Sequence, residues 1–333
     1  MLHYNKGGEP CGLISNIAHY TIHDGPGIRT AVYFMGCTMR CIWCSNPETF
    51  YPQQQIGIYP SRCISLKKCG YCIKACPQEK KPISFDKKSV LSSLEMIEEC
   101  EDCFICADAC PTEAIKLWGK KMTIAELMKV IERDRKFYDR SGGGVTLNGG
   151  EVMLQWEFAR KLLMTCKTSG INTCVETALN CPKEDMEAVY EYTDLVIADI
   201  KNMDSQAHEK YTGYSNEIIL SNLITTVELE KKLVIRTPVV PGLSGDEQDL
   251  RAIAEFIKNK LYGRILRWQL LPFHKLGTEK YEALNIPYPM SDYIMPERKK
   301  TGKELVRLAE ILKAEYSIPI EVTSEETQPI EIA

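Results

Sequence analysis

Cys37-Thr38-Met39-Arg40-Cys41-Ile42-Trp43-Cys44 leaves the end of an apolar run, residues 31–35, and sets three thiols in a C-x3-C-x2-C loop. A [4Fe-4S] cube has four irons and is ordinarily held by four thiolates. Three thiols this close can each take one iron, which leaves the fourth iron open to a ligand. The same logic separates an open catalytic zinc site from a closed structural one. Two plainer readings exist: a zinc site completed by a distant residue, or three unrelated thiols. The surrounding sequence favours the cube.

Outward from that loop, the composition is that of an ordinary globular protein. The 333 residues are 44% apolar and 26% charged, with a net charge of −4, enough for one large domain or two moderate ones. No basic run is long enough to suggest nucleic acid. No stretch approaches the roughly 18 apolar residues of a membrane span, and residues 1–10 hold no apolar h-region. The expectation is a cytoplasmic, monomeric protein without nucleic-acid or membrane partners. Fifteen cysteines in a reducing compartment point to metal ligation rather than disulfides. Eleven fall into three tight groups, and the other four, Cys11, Cys166, Cys174 and Cys181, read as buried apolar thiols.

Residues 50–118 hold two of those groups and no long helical periodicity, as expected of a small module stapled by metal. Cys100, Cys103, Cys106 and Cys110-Pro111 match the bacterial ferredoxin run C-x2-C-x2-C-x3-C-P. Cys63, Cys69, Cys72 and Cys76-Pro77 match it except for a five-residue first gap. In two-cluster ferredoxins the fourth cysteine of each run crosses to the other cluster. That rule places one cube on Cys63, Cys69, Cys72 and Cys110, and the other on Cys100, Cys103, Cys106 and Cys76. Two zinc knuckles are the alternative.

From residue 122 onward, apolar runs alternate with amphipathic segments. Thr123-Ile124-Ala125-Glu126 is a capping box opening a helix whose Ile124, Leu127, Met128 and Ile131 share a face. Short apolar runs at 144–147, 171–175, 195–198, 233–239 and 266–271 join 31–35 as six strands, each followed by a helix. Such alternation implies a parallel sheet buried on both faces. Six units are too few to close an eight-stranded barrel, so the expected fold is an α/β, partial, open (β/α)6 TIM-like barrel with an inserted ferredoxin-like [4Fe-4S] domain. The barrel would take residues 1–50 and 118–333, and the insert 51–117.

In α/β barrels the working groups sit at the C-terminal ends of the strands. Here those ends carry the three thiols, Asn148-Gly149-Gly150-Glu151, Glu176-Thr177, Asp199-Ile200-Lys201, Arg236, and Pro272-Phe273-His274. Singly, each reads as a turn, a surface charge or a gap-filling side chain. Together they offer an acid or carbonyl for an ammonium, two cations for a carboxylate and an acid for ribose hydroxyls, which suits a zwitterionic nucleoside. The turn Asp24-Gly25-Pro26-Gly27 precedes the first strand and, alone, is only a turn.

With those residues in view, the chain resembles the glycyl-radical-enzyme activating family of the radical S-adenosylmethionine superfamily. The resemblance runs over residues 15–321. Its most specific elements are Ile22-His23-Asp24-Gly25-Pro26-Gly27-Ile28-Arg29-Thr30, the thiol loop followed by Ser45-Asn46-Pro47-Glu48, Gly149-Gly150-Glu151, Asp199-Ile200-Lys201 and Leu271-Pro272-Phe273-His274. The two ferredoxin-like runs resemble the subset with an inserted two-cluster domain.

The resemblance implies three [4Fe-4S] clusters, with Cys37, Cys41 and Cys44 holding the catalytic one and S-adenosylmethionine on its open iron. Trp43, Cys44 and Ser45 would border the cofactor, and Gly149, Gly150 and Glu151 would receive its amino group. Lys201 and Arg236 would serve its carboxylate side, with Asp199, Ile200 and His274 nearer the ribose and adenine. Glu176-Thr177 stands where relatives often have an aspartate and place a monovalent cation. Asn148 stands where serine is common, and Val152 where proline is common. The implied reaction is reductive cleavage of S-adenosylmethionine to a 5′-deoxyadenosyl radical, which takes a hydrogen atom from a backbone glycine of a partner glycyl radical enzyme. A flavodoxin- or ferredoxin-type reductant is implied, and Asp24, Gly25, Pro26 and Gly27 are expected to receive the partner's loop. A radical enzyme acting on a small metabolite and a non-catalytic electron carrier are the competing readings.

Overall fold

The computed structural model describes residues 3–5, 7–78, 83–86, 91–93 and 103–323. Two antiparallel strands, β1 (His3–Tyr4) and β2 (Pro10–Thr21), lead into β3 (Arg29–Phe34). The cysteine-rich stretch follows, with β4 (Gln55–Ile58), α1 (Tyr71–Ala75), β5 (Ser84–Phe85), β6 (Leu91–Ser93), α2 (Ile105–Asp108) and β7 (Ile115–Trp118). Then come β8 (Lys120–Thr123), α3 (Ile124–Ile131) and α4 (Arg135–Ser141). The strands and helices that alternate afterwards are β9 (Gly144–Gly149), α5 (Trp156–Thr168), β10 (Asn172–Thr177), α6 (Lys183–Tyr190), β11 (Leu195–Asp199), α7 (Ser205–Thr212), α8 (Glu217–Glu228), β12 (Lys232–Val239) and α9 (Glu247–Asn259). The chain closes with β13 (Arg267–Pro272), α10 (Thr278–Ala283), α11 (Arg298–Tyr316) and β14 (Ile320–Val322).

The strands β3, β9, β10, β11, β12, β13 and β14 pair parallel in that order. The central parallel sheet with helices is therefore as expected, and all six anticipated strands are in it. Two edges differ from the expectation. A seventh parallel strand, β14, lies beyond β13. The segment before the first anticipated strand, to which no element was assigned, is the 12-residue strand β2, antiparallel to both β3 and β8. Its residues 11–14 are all buried and the rest largely are not, so it shows no period of two.

Alternation along each strand splits the interior in two. Outward-facing Val32, Phe34, Leu147, Val175, Val196 and Ile235 join the helices in the main core. Inward-facing Cys174, Leu195, Ile197 and Val234 form a small separate core within the sheet's concave face. Burying each such side chain contributes about 1.5–3 kcal/mol. All four thiols read as apolar, Cys11, Cys166, Cys174 and Cys181, are buried. Above the small inner core, toward the strands' C-terminal ends, inward positions turn polar. That is where the site lies.

Candidate active site at the mouth of the parallel sheet

The thiol loop leaves β3 at the C-terminal edge of the sheet, and its path is fixed from outside. The N–H of Arg40 donates to the Thr212 carbonyl at 2.7 Å and that of Ile42 to the Tyr211 carbonyl at 3.0 Å. Those carbonyls end α7 and would otherwise lack partners. The Arg40 guanidinium donates back to the carbonyls of Cys37 and Met39 at 2.8 and 2.7 Å. On the other side, Trp43 packs with Val240 and Met290, and the Tyr281 hydroxyl donates to the Cys44 carbonyl at 2.9 Å. The Asn180 amide reaches the Thr38 hydroxyl at 3.1 Å.

Cys37, Cys41 and Cys44 are each partly buried, and burial pushes each thiol up to about 12. Unaided, they keep their protons at neutral pH, and a bound metal is what would draw them off as thiolates. Three soft sulfur donors on one short loop suit iron-sulfur ligation. Among the described residues, no three His, Cys, Asp or Glu side chains converge as the ligands of a single ion do. The thiols of a cube each take a different iron and have no reason to.

A row of inward side chains crosses the sheet beside the loop. Asp199, Arg236, Gln269 and Glu321 stand opposite one another in register on β11, β12, β13 and β14. Arg236 donates through Nε to Gln269 Oε1 at 2.9 Å, and Gln269 Nε2 donates to Glu321 Oε1 at 2.6 Å. Arg236 also pairs with Glu176 at 2.7 Å and donates to the His23 carbonyl. Lys201 pairs with Asp199 at 2.7 Å. Burial alone would lower the Lys201 ammonium, but Asp199 and the nearby thiols of Cys41 and Cys37 outweigh it and hold its pKa above the ordinary value. The mouth thus brings both expected cations together, each already with an internal acid. Ile200 is buried, and its N–H donates to the Arg236 carbonyl at 2.9 Å. His274 follows β13 at the same edge.

The Gly149-Gly150-Glu151 stretch serves the loop through its backbone. Gly150 N–H donates to the Phe34 carbonyl at 3.0 Å and Glu151 N–H to the Gly36 carbonyl at 2.7 Å. A Cβ on Gly150 would lie 2.0 Å from the Gly36 oxygen, so only glycine permits this approach. The Glu151 carboxylate is fully buried and accepts from Thr177 Oγ1 at 2.7 Å, Ala178 N at 3.0 Å and Met153 N at 3.1 Å. Burial raises its pKa against those bonds. Its side chain ties β9 to β10, so what this stretch presents to a ligand is main chain.

The turn at Asp24-Gly25-Pro26-Gly27 is tucked into the sheet's concave face. Thr146 Oγ1 donates to the Asp24 carbonyl at 2.6 Å, Asn148 Nδ2 to Asp24 Oδ1 at 3.3 Å and Arg29 to the Pro26 carbonyl at 3.1 Å. Arg29 is itself fully buried, with Nε on Thr146 at 2.6 Å and another N–H on the Val145 carbonyl at 2.7 Å. Sequence reading missed Tyr33, Gln269 and Glu321 as members of this mouth. The available signal was a polar residue at an inward position of an otherwise apolar strand.

In the cysteine-rich stretch, Cys63, Cys69, Cys72 and Cys110 line one small cavity together with Ile64, Leu66, Phe85 and Ile115. These are the four that the ferredoxin crossing rule groups. Cys76 and Cys106 are buried and Cys103 is exposed. Cys100 lies outside the described residues.

No family model matches the chain. Individual relatives do. The (2S)-3-sulfopropanediol dehydratase activating enzyme of Klebsiella oxytoca is 46% identical over 302 residues, 91% of this chain and 94% of that one. The choline trimethylamine-lyase activating enzyme of Oleidesulfovibrio alaskensis is 42% identical over 85% of this chain and 90% of its own length. The isethionate sulfite-lyase activating enzyme of Desulfovibrio desulfuricans is 39% identical over 92% of this chain and 97% of that one. Among solved structures, a radical SAM methyltransferase from Sphaerobacter thermophilus superposes with a TM-score of 0.50 at 12% identity, covering 98% of this chain and 73% of that one, a likeness of fold. With thiol loop, parallel sheet and relatives in agreement, the chain belongs to the glycyl-radical-enzyme activating enzymes, radical S-adenosylmethionine oxidoreductases that cleave their cofactor reductively and take a hydrogen atom from a backbone glycine of a partner enzyme.

Proposed function

We propose that this chain activates a glycyl radical enzyme of the eliminating kind, a dehydratase or a C–S or C–N lyase, and that it does so with three [4Fe-4S] clusters. The first part is supported by the most similar relatives: activators of such enzymes run from 46% down to 36% identity and include all those at 37% or more named here, whereas activators of two decarboxylases stand at 34% and 36%. The second is supported by four thiols around one cavity in the cysteine-rich stretch. In this reading residues 51–117 are an inserted ferredoxin-like domain that relays electrons from a flavodoxin- or ferredoxin-type reductant. The protein works in the cytoplasm, where thiols stay reduced. No helix among the described residues is long and apolar enough to cross a membrane.

The observation that carries the reading is the meeting of the thiol loop, the Lys201–Asp199 pair and the Asp24 turn at one mouth. Cys37, Cys41 and Cys44 would hold the catalytic cluster, which when bound supplies the electron that cleaves the cofactor. Trp43 walls one side, and the main chain of Gly149 and Gly150 faces the cofactor's amine. Lys201 and Arg236 lend positive charge to its carboxylate, and Asp199 and His274 border its ribose and adenine. The Arg236–Glu176 ion pair lies where the resemblance implies a monovalent cation. The turn at residues 24–27 receives the partner's loop, and the low inner core below it keeps water out.

The test is to reconstitute the chain anaerobically with iron and sulfide and mix it with S-adenosylmethionine and the glycyl radical enzyme encoded beside its gene. A glycyl radical signal by electron paramagnetic resonance, matched by 5′-deoxyadenosine, is the expected result. Formation of 5′-deoxyadenosine on a small metabolite without the protein partner would overturn it. Asp24→Ala is expected to lower the rate of partner activation at least tenfold, and full-rate activation by that variant would remove the turn from the account.

A further inference from the structure

Asn148 is 5% exposed, and its side chain is only half used. Nδ2 donates to Asp24 Oδ1 at 3.3 Å. A carboxylate only accepts, so the amide's orientation is forced: nitrogen toward Asp24, oxygen away from it. That oxygen is buried and has no hydrogen-bond partner. Buried polar atoms are nearly always satisfied, and one that is not marks a place where a partner arrives.

The surroundings say what kind of partner. Asn148 and Thr146 share the inward face of β9, and both hold Asp24, one by its carboxylate and one by its carbonyl. Tyr33 lies directly across from Asn148 in register on β3, with its hydroxyl beside the same amide and Asp24. One acceptor beside one hydroxyl donor is the pattern that reads a peptide group, which offers an N–H and a C=O side by side. The cofactor's amine and carboxylate have the thiol loop, Gly149-Gly150 and Lys201 to meet instead.

We infer that Asn148 Oδ1, sealed from solvent in the free chain, is uncovered as the partner's glycyl loop enters and then accepts one of its backbone N–H groups, making Asn148 a residue that sets how tightly this chain grips its protein substrate. The inference rests on the reading of the Asp24 turn as the place where that loop docks. Asn148 couples the shape of the turn to recognition of the loop.

The probe is a synthetic nonapeptide copied around the radical glycine of the enzyme encoded beside this chain's gene. A companion set replaces each backbone amide in turn by an ester, which deletes one N–H and little else. With cluster-loaded protein, 5′-deoxyadenosine formation is followed against peptide concentration. One ester position is expected to raise KM about tenfold with wild-type protein. Asn148→Ser is expected to raise KM for the all-amide peptide by a similar factor while the cofactor's Kd stays within twofold. For Asn148→Ser with that ester the two effects should not multiply, because they delete the two halves of one bond. Effects that multiply, no sensitive ester, or an increase in the cofactor's Kd without a change in peptide KM each overturn the inference, the last by giving the oxygen to the cofactor. Asp24→Ala separates the two readings. If it leaves peptide KM unchanged while the Asn148 cycle behaves as described, the turn reading fails and the Asn148 contact stands. If it raises KM and the cycle is flat, the reverse holds.

Discussion

Gln155 lies wholly out of water, and its single amide serves two strands. Its Oε1 accepts from Leu13 N at 2.8 Å, and its Nε2 donates to the carbonyls of Leu13 and Met35 at 3.1 and 2.9 Å. Met35 is the last residue before the turn into the thiol loop, so this side chain clamps the root of the loop onto β2. Gln155→Leu keeps the volume but strands the Leu13 N–H and the Met35 carbonyl in an apolar setting, each worth about 1–3 kcal/mol, while the Leu13 carbonyl still accepts from Met35 N at 2.9 Å. A loss of about 3 kcal/mol or more in urea unfolding is expected. Gln155→Ala adds a cavity and should cost more. A loss under about 1 kcal/mol would mean that water or a shifted backbone takes over those bonds. The same contrast of buried against exposed applies at Arg236 and Glu176, where removing one partner leaves a buried charge unpaired.

At the scale of single elements, α3 shows how much a short signature carries. Thr123 Oγ1 accepts from Glu126 N at 3.2 Å, and Glu126 Oε2 accepts from Thr123 N at 2.8 Å, the reciprocal pair that T-x-x-E announced. Thr123→Ala should cost about 1 kcal/mol. Those bonds from Thr123 also hold the Glu126 carboxyl below its ordinary value of 4.5. A depressed acid contributes its stability above its unfolded pKa and loses it as pH falls through the folded one. The gap in urea midpoint between wild type and Glu126→Gln should therefore be present at pH 7 and shrink as pH falls below about 4.5, and a gap that grew on acidification would refute the assignment. Capping boxes and helical faces are legible because every term is local. Strand β2 was not, because residues 11–14 are buried by distant partners, with β1 and β8 paired beside them, Phe158 of α5 against Gly12, and Met35, Tyr59 and Trp118 around Leu13, and nothing in twelve residues announces those neighbours.

At the scale of the whole molecule, the sequence pointed to many residues of the mouth but to neither Tyr33, Gln269 and Glu321 nor the pairings. Glu176 meets Arg236, and Gln269 joins Arg236 to Glu321, only because parallel register aligns β10 to β14. The same lack of register hid the burial of the Asp24 turn, which alone read only as a turn and is held from β9, with the adjoining His23 carbonyl held from β12. Cys63, Cys69, Cys72 and Cys110 line one cavity, the same four that the crossing rule groups from spacing alone. If residues 51–117 carry two cubes that feed the mouth, replacing Cys72 and Cys106 removes one ligand from each and should lower iron from about twelve to about four per chain. The catalytic thiols are untouched in that variant, so dithionite, which can reach the mouth directly, should still drive 5′-deoxyadenosine formation within about threefold of wild type. A protein reductant of the flavodoxin or ferredoxin type should drive it at least tenfold more slowly, since electrons must then cross the inserted segment without a stepping stone. Equal losses with both reductants would make the segment a structural or docking device, and no loss with either would separate it from electron delivery altogether.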